Sequence, residues 1–205
     1  MLRITPYLWI IVFVVAFGGL WYPILGYVML IVMLTLFATS IFRGRWFCGN
    51  LCPRGSLNDF VLVKFSRNRK IPALFADLRV RIPVIALIMG LMLYRLSVVF
   101  TTEGAFEKAG AIFASMCLVT TVIAVLIGGY FSSRTWCKVC PMGTVQRLVG
   151  GGKYPLRMEK SACIDCKKCE KVCPMQLNVR DIGNNPDCIK CGRCVEACPK
   201  DALYF

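Results

Sequence analysis

The sequence predicts a membrane-embedded α-helical part, four transmembrane helices in two parallel repeats, followed by a small C-terminal α+β domain built around cysteines. Three observations predict it. Of the 205 residues, 57% are hydrophobic, against roughly 45–50% for an average soluble domain. The apolar residues gather into runs long enough to cross a bilayer core, which takes about 20 residues. Eight of the 13 cysteines fall after residue 160, where the chain turns polar.

Residues 4–42 are apolar for too long to be one span. Gly18-Gly19 and Trp21-Tyr22-Pro23 interrupt them near the middle, with turn-forming and interface-seeking residues together. The expectation is a helical hairpin, with helices at about 4–20 and 23–42. A single long helix kinked at Pro23 is the alternative. A basic loop follows over 43–81, carrying nine Lys and Arg residues against Asp59 and Asp77. Within it, Leu57–Phe65 has the apolar spacing of a short amphipathic helix on the membrane surface. Residues 82–100 and 109–131 make the third and fourth spans. Arg95, near the end of the third, can snorkel to the headgroups. These elements divide the chain into a membrane module at 1–149, a Gly-rich basic linker at 150–157 with a flexible joint at Gly150-Gly151-Gly152, and a tail domain at 158–205.

The formal charge is +14, and there is no histidine. The lack of histidine excludes bis-histidine haem, Rieske centres and histidine-ligated zinc or copper. The basic residues cluster after the second and fourth helices, while Glu103 and Glu107 sit in the intervening turn. That asymmetry is a topology signal, with contact to anionic lipid as a secondary effect and no call for nucleic acid. It places both termini and both basic segments on the cytoplasmic side of the inner membrane. Long apolar runs and metal-ligand cysteine spacing also argue against a secreted disulfide scaffold.

Cys163, Cys166, Cys169 and Cys173 form C-x2-C-x2-C-x3-C followed by Pro174. Cys188, Cys191, Cys194 and Cys198 repeat the run, followed by Pro199. A [4Fe–4S] cube needs one thiolate per iron, and in two-cluster ferredoxins the fourth cysteine of each run serves the other cluster. The expected ligands are Cys163, Cys166, Cys169 and Cys198 for cluster one. Cluster two takes Cys188, Cys191, Cys194 and Cys173. Paired C-x2-C units also suit zinc, but the doubled run with its prolines is far more specific. Cys163-Ile164-x-Cys166 matches Cys188-Ile189-x-Cys191, a 25-residue repeat. Lys167, Lys168, Lys171, Lys190 and Arg193 lie among the ligands, where positive charge would raise a cluster potential; a solvated basic face is the other reading.

A second repeat lies in the membrane module. The second helix runs into Arg45-Trp46-Phe47-Cys48 and Cys52-Pro53-Arg54-Gly55-Ser56. The fourth runs into Arg134-Thr135-Trp136-Cys137 and Cys140-Pro141-Met142-Gly143-Thr144. Each reads Arg, aromatic, Cys, Cys-Pro, x, Gly, then a hydroxyl able to cap a helix. A parallel repeat would bring Cys48, Cys52, Cys137 and Cys140 together as a further iron–sulfur or iron centre at the membrane edge. Free cysteine pairs or a regulatory disulfide remain alternatives. Cys117 is expected to be a small buried residue. Trp46, Phe47, Trp136 and Arg45 could line a quinone pocket, though interfacial anchoring explains the aromatics more simply.

Nearly the whole chain resembles the membrane polyferredoxins of the NapH type, whose relatives include NosR and CcoG. The resemblance implies an electron-transfer subunit, like that of a quinol dehydrogenase, passing electrons between the quinone pool and redox partner proteins. It implies no catalytic residue beyond the cluster ligands. The Cys137-x2-Cys140 spacing departs from the family's usual three intervening residues. A metal-centre assembly factor or redox sensor, or a wiring subunit of a larger complex, are the competing functional classes.

Overall fold

The computed structural model describes residues 4–205. Three helices are long and apolar enough to cross a membrane, Pro23–Arg43, Leu78–Phe100 and Ala105–Tyr130. A shorter apolar helical segment, Thr5–Trp21, precedes them. It loosens into a π turn over Val14–Gly18 and stops at Tyr22, whose φ of −121° and ψ of 89° leave the helical region just before Pro23. The expected four spans thus appear as three helices of spanning length and one shorter. The first two segments form a hairpin: Thr5 returns to the far end of the second, donating from Oγ1 to the Asn50 carbonyl at 2.8 Å and accepting from Ser56 Oγ at 2.5 Å.

The fourth helix occupies the centre because one side of it is small: Ala109, Gly110, Ala114, Cys117, Ala124 and Gly128 are buried. Small residues let helix backbones approach closely where no hydrophobic force acts between helices. At one end Gly26 and Gly110 meet backbone to backbone, and a Cβ on Gly26 would collide with the Gly110 carbonyl. Tyr27 hydroxyl donates to the Phe106 carbonyl there, at 2.8 Å.

The third helix begins at Leu78, four residues earlier than expected, because Asp77 caps it by accepting from the Arg79 N–H at 3.0 Å. Arg81 is consequently a helix residue and fully buried. Residues 57–64 are helical, but Asn58 and Asp59 are turned into the protein instead of forming an outer polar side. Leu57, Asn58, Asp59 and Leu62 are all buried, and the polar residues point into the protein. The hydroxyls of the two motifs do not cap either. Cys52 and Cys140 occupy the N-cap positions, each followed by a proline whose missing N–H costs nothing there. Ser56 and Thr144 sit inside the helices Pro53–Ser56 and Pro141–Gly150.

The tail is closed by an antiparallel pair, Arg157–Met158 with Leu203–Tyr204, over a core of Leu156, Val179, Ile182 and Leu203. Its repeat is written in the backbone. Asp165 and Lys190, Lys167 and Gly192, and Gln176 and Asp201 all have positive φ, each pair 25 residues apart. Gly150 and Gly151 pack rather than merely link: a Cβ on Gly150 would collide with the Ser40 carbonyl, and one on Gly151 would lie 2.6 Å from Pro186.

Two buried carboxylates fasten the tail to the helices. Asp187 accepts from Arg45 Nη1 at 2.9 Å, from Arg81 at 2.8 and 3.1 Å, and from Arg147 Nη1 at 2.6 Å. Asp59 accepts from Arg134 at 2.7 and 2.6 Å and from Arg193 of the tail at 2.6 Å. Burial would push the Asp187 carboxyl up, but the Arg81 hydrogen bonds and the charges of Arg45, Arg81 and Arg147 outweigh it and hold it below the usual range. A depressed carboxyl stabilises the docked state above its ordinary pKa, so this contribution is lost only as the pH falls through the acid range. Asp187→Ala leaves three cations facing one another, at an expected cost of about 3–5 kcal/mol. The tail of that variant should be cut readily at neutral pH in limited proteolysis, while Asp165→Ala, at a partly exposed pair, leaves it protected.

Candidate iron–sulfur sites

Each cysteine run curls because its third and fifth residues are left-handed: Asp165 and Lys167 in the first, Lys190 and Gly192 in the second. Such turns point successive N–H groups inward, a concavity that suits an anion. The curled loops enclose two small voids of about 20 Å³ each. Cys163, Cys166, Cys169 and Cys198 line one, and Cys173, Cys188, Cys191 and Cys194 line the other. Among the described residues no three Cys, Asp or Glu side chains gather as the ligands of a single ion would. Four thiols around a void fit a cluster, in which each iron takes one thiolate, better than they fit zinc.

The membrane-edge cysteines also come together. Cys48, Cys52, Cys137 and Cys140 line one cavity of about 100 Å³, walled on the helix side by apolar residues such as Val12, Val15 and Met33. Reciprocal contacts between the two motifs build it. Arg45 Nη2 donates to the Cys137 carbonyl at 2.7 Å, and Arg134 Nη1 to the Cys48 carbonyl at 2.9 Å. Gly55 lies under Arg134 and Gly143 under Arg45, where a Cβ would come within 2.9 and 2.8 Å of the guanidinium nitrogens. The Arg and Gly of each motif thus serve the opposite motif. Arg134 Nη1 also reaches Cys137 Sγ at 3.4 Å.

Two carboxamides missing from the sequence reading belong here. Gln146 accepts from Cys48 Sγ at 2.7 Å, and Asn58 Nδ2 points at Cys137 Sγ at 3.8 Å. Each stands six residues after the second cysteine of its own motif and meets the first cysteine of the other; reading the repeat two positions further would have found them. Phe47 and Trp136 are 2% and 4% exposed and line the cavity, so they are not interfacial anchors. Trp46 takes that outer position, under the Arg43 guanidinium. Cys117 is buried, lines the same cavity and offers its carbonyl to Arg54 Nη2 at 3.3 Å.

The membrane-edge site adjoins the second void. Cys48 packs with Met175 and Ile189, and Cys137, Cys173 and Cys191 join the same cluster. Gly49 makes this possible, since a Cβ there would collide with the Ile189 carbonyl and lie 3.1 Å from Cys191. Asn50 Nδ2 donates to the Lys190 carbonyl at 3.2 Å beside it.

Comparison with known proteins agrees with this geometry. Residues 25–72 and 114–157, which carry the two membrane-edge motifs, match a family described as a 4Fe-4S binding domain. Residues 153–202 match a 4Fe-4S dicluster domain. The chain is 27% identical over 173 residues to YccM of Escherichia coli, a protein named for a proposed role in electron transport. Both family matches are to iron–sulfur binding domains, and together they take in every cysteine motif of the chain. The chain is also similar to two uncharacterized proteins of Methanocaldococcus jannaschii, MJ0750 at 29% identity over 84% of this chain and MJ0749 at 26% over 68%. The chain spans 55% of MJ0749, 76% of MJ0750 and 47% of YccM. No solved structure matches it.

Burial pushes the Cys48 thiol up to about 12 and Cys52 to about 11; Cys194 and Cys188 in the tail rise to about 12 and about 11 for the same first reason. Without a cluster these thiols are neutral at physiological pH, and loading one must release protons. In cluster-free protein at pH 8, Cys48 should hold thiolate on the order of 10⁻⁴. Mass spectrometry after brief iodoacetamide treatment should find the exposed Cys166 alkylated and Cys48 intact, with Cys48 labelling rising about tenfold per pH unit.

Proposed function

We propose that the chain is a membrane-bound electron relay with three iron–sulfur centres in a row. Cluster one takes Cys163, Cys166, Cys169 and Cys198, and cluster two takes Cys173, Cys188, Cys191 and Cys194. The third centre takes Cys48, Cys52, Cys137 and Cys140. The observation that carries this reading is the shared buried cluster of Cys48, Cys137, Cys173 and Cys191. It sets the membrane-edge thiols against those of cluster two. When bound, such clusters supply one-electron chemistry at cysteine sulfur, and the protein tunes them through hydrogen bonds, charge and burial.

The chain's own residues have definable parts in this. Arg134, Asn58 and Gln146 stand at the sulfurs of Cys137 and Cys48 and would orient and polarise them as ligands. Gly49 removes the side chain that would separate the two sites. The motif contacts are reciprocal, which supports two parallel repeats sharing one centre. The helix-side cavity wall is apolar, and the indole N–H of Trp136 and Nε of Arg54 there have no acceptor among the described residues. A lipid-soluble quinone would find donors for a carbonyl there, which supports a membrane end of the relay at the quinone pool.

Arg45, Arg81, Arg134 and Arg147 are spent on carboxylates and do not report topology. Arg43, Lys64, Arg67, Arg69, Lys70, Arg79, Lys153 and Arg157 still outnumber the cations of the Glu103–Lys108 turn. The positive-inside rule then puts the clusters on the cytoplasmic side of the inner membrane.

Iron and acid-labile sulfide per chain test the reading. Three cubes give about 12 irons, and Cys48→Ser/Cys137→Ser should leave about 8 with the tail's EPR signals intact. Equal iron in both proteins would remove the membrane-edge centre, and redox-silent metal would remove the relay.

A further inference from the structure

The two cysteine runs of the tail are copies offset by 25 residues, yet they face different surroundings. In the second run Ile189 is 2% exposed and sits against Gly49, while Arg193 donates to Asp59 at 2.6 Å. That face docks the tail on the membrane module. The equivalent residues of the first run are Ile164 and Lys168. Ile164 is 58% exposed, and Lys168 is exposed beside it. The tail therefore presents to solvent a copy of the face by which it is already bound.

The charge on this outer face is positive on balance. Lys167, Lys168 and Lys200 line the void of cluster one, and no carboxylate does. The nearby Asp165 and Glu170 are both engaged by Arg180. Among the described residues no carboxylate pairs with Lys167 or Lys168, and Cys166 itself is exposed between them and Ile164.

We propose that the outer face of the first run, Ile164 with Lys167 and Lys168, docks a small soluble electron carrier whose own redox centre is ringed by carboxylates. A carboxylate of the carrier meets Lys168 as Asp59 meets Arg193, and an apolar spot takes Ile164 as Cys48 takes Ile189. One electron then passes between the carrier's centre and cluster one: the donor is oxidised by one electron, the acceptor reduced by one, and no bond or proton moves. The contact is small and transient, as redox encounters are, and steered by charge. This inference rests on the relay reading, since it requires a cluster behind Ile164.

The test uses the full cluster-loaded chain in lipid nanodiscs, mixed by stopped flow with a reduced acidic [2Fe–2S] ferredoxin as the probe. The second-order rate of cluster reduction should fall steeply with added salt. Lys167→Glu/Lys168→Glu should lower it about tenfold or more at low salt, and Lys168→Gln by less in the same direction. Reduction of the same variants by a small uncharged donor, which feels only the change in cluster potential, should fall by much less, and their iron content should not change. A rate for the acidic ferredoxin that ignores both salt and the substitutions would overturn the proposal. So would faster reaction with a basic cytochrome of similar driving force. Wild-type protein lacking iron, or with redox-silent iron, would instead overturn the relay reading beneath it.

Discussion

The buried pairing of arginine with carboxylate at Asp59 and Asp187 is the constraint on which the rest of the molecule depends. Arg45, Arg81 and Arg134 are at most 1% exposed. Three guanidiniums at the base of a membrane module are tolerable only if each is paired with a carboxylate and hydrogen-bonded, because an unpaired buried charge costs several kcal/mol. Arg45 and Arg134 also carry the reciprocal bonds that hold one cysteine motif against the other. The carboxylates therefore secure the geometry of the membrane-edge site as well as the position of the tail.

The two halves solve this problem differently, and the difference explains why the tail is docked. Asp59 stands seven residues after Cys52 and neutralises Arg134 of the other half. The residue seven after Cys140 is Arg147, so the second half returns no carboxylate to Arg45. Asp187, immediately before Cys188, replaces it and takes Arg81 and Arg147 as well. A broken symmetry in the membrane module is completed by the tail, which brings the second cysteine run to the membrane-edge thiols. Gly49 then allows the final approach.

What could be read from the sequence was what is local. The cysteine runs, their prolines and the apolar helices are short-range patterns, and so is the Arg–Cys–Cys-Pro–Gly repeat. Asp187 and Asp59 were invisible as site residues because their partners lie 40 to 142 and 75 to 134 residues away. Arg81 and Arg147 looked like topology charges for the same reason. Trp136 and Phe47 resembled interface anchors because composition does not distinguish an aromatic at a membrane edge from one folded back beneath it. The short first helix was hard to judge since its π turn leaves no mark in hydropathy.

The proposed relay depends on the membrane-edge thiols packing directly against those of cluster two. EPR of the fully reduced, full-length protein in lipid tests it most directly. The account predicts spectra broadened by magnetic coupling between those two centres. A sum of independent, uncoupled cluster signals from a protein with full iron content would contradict it.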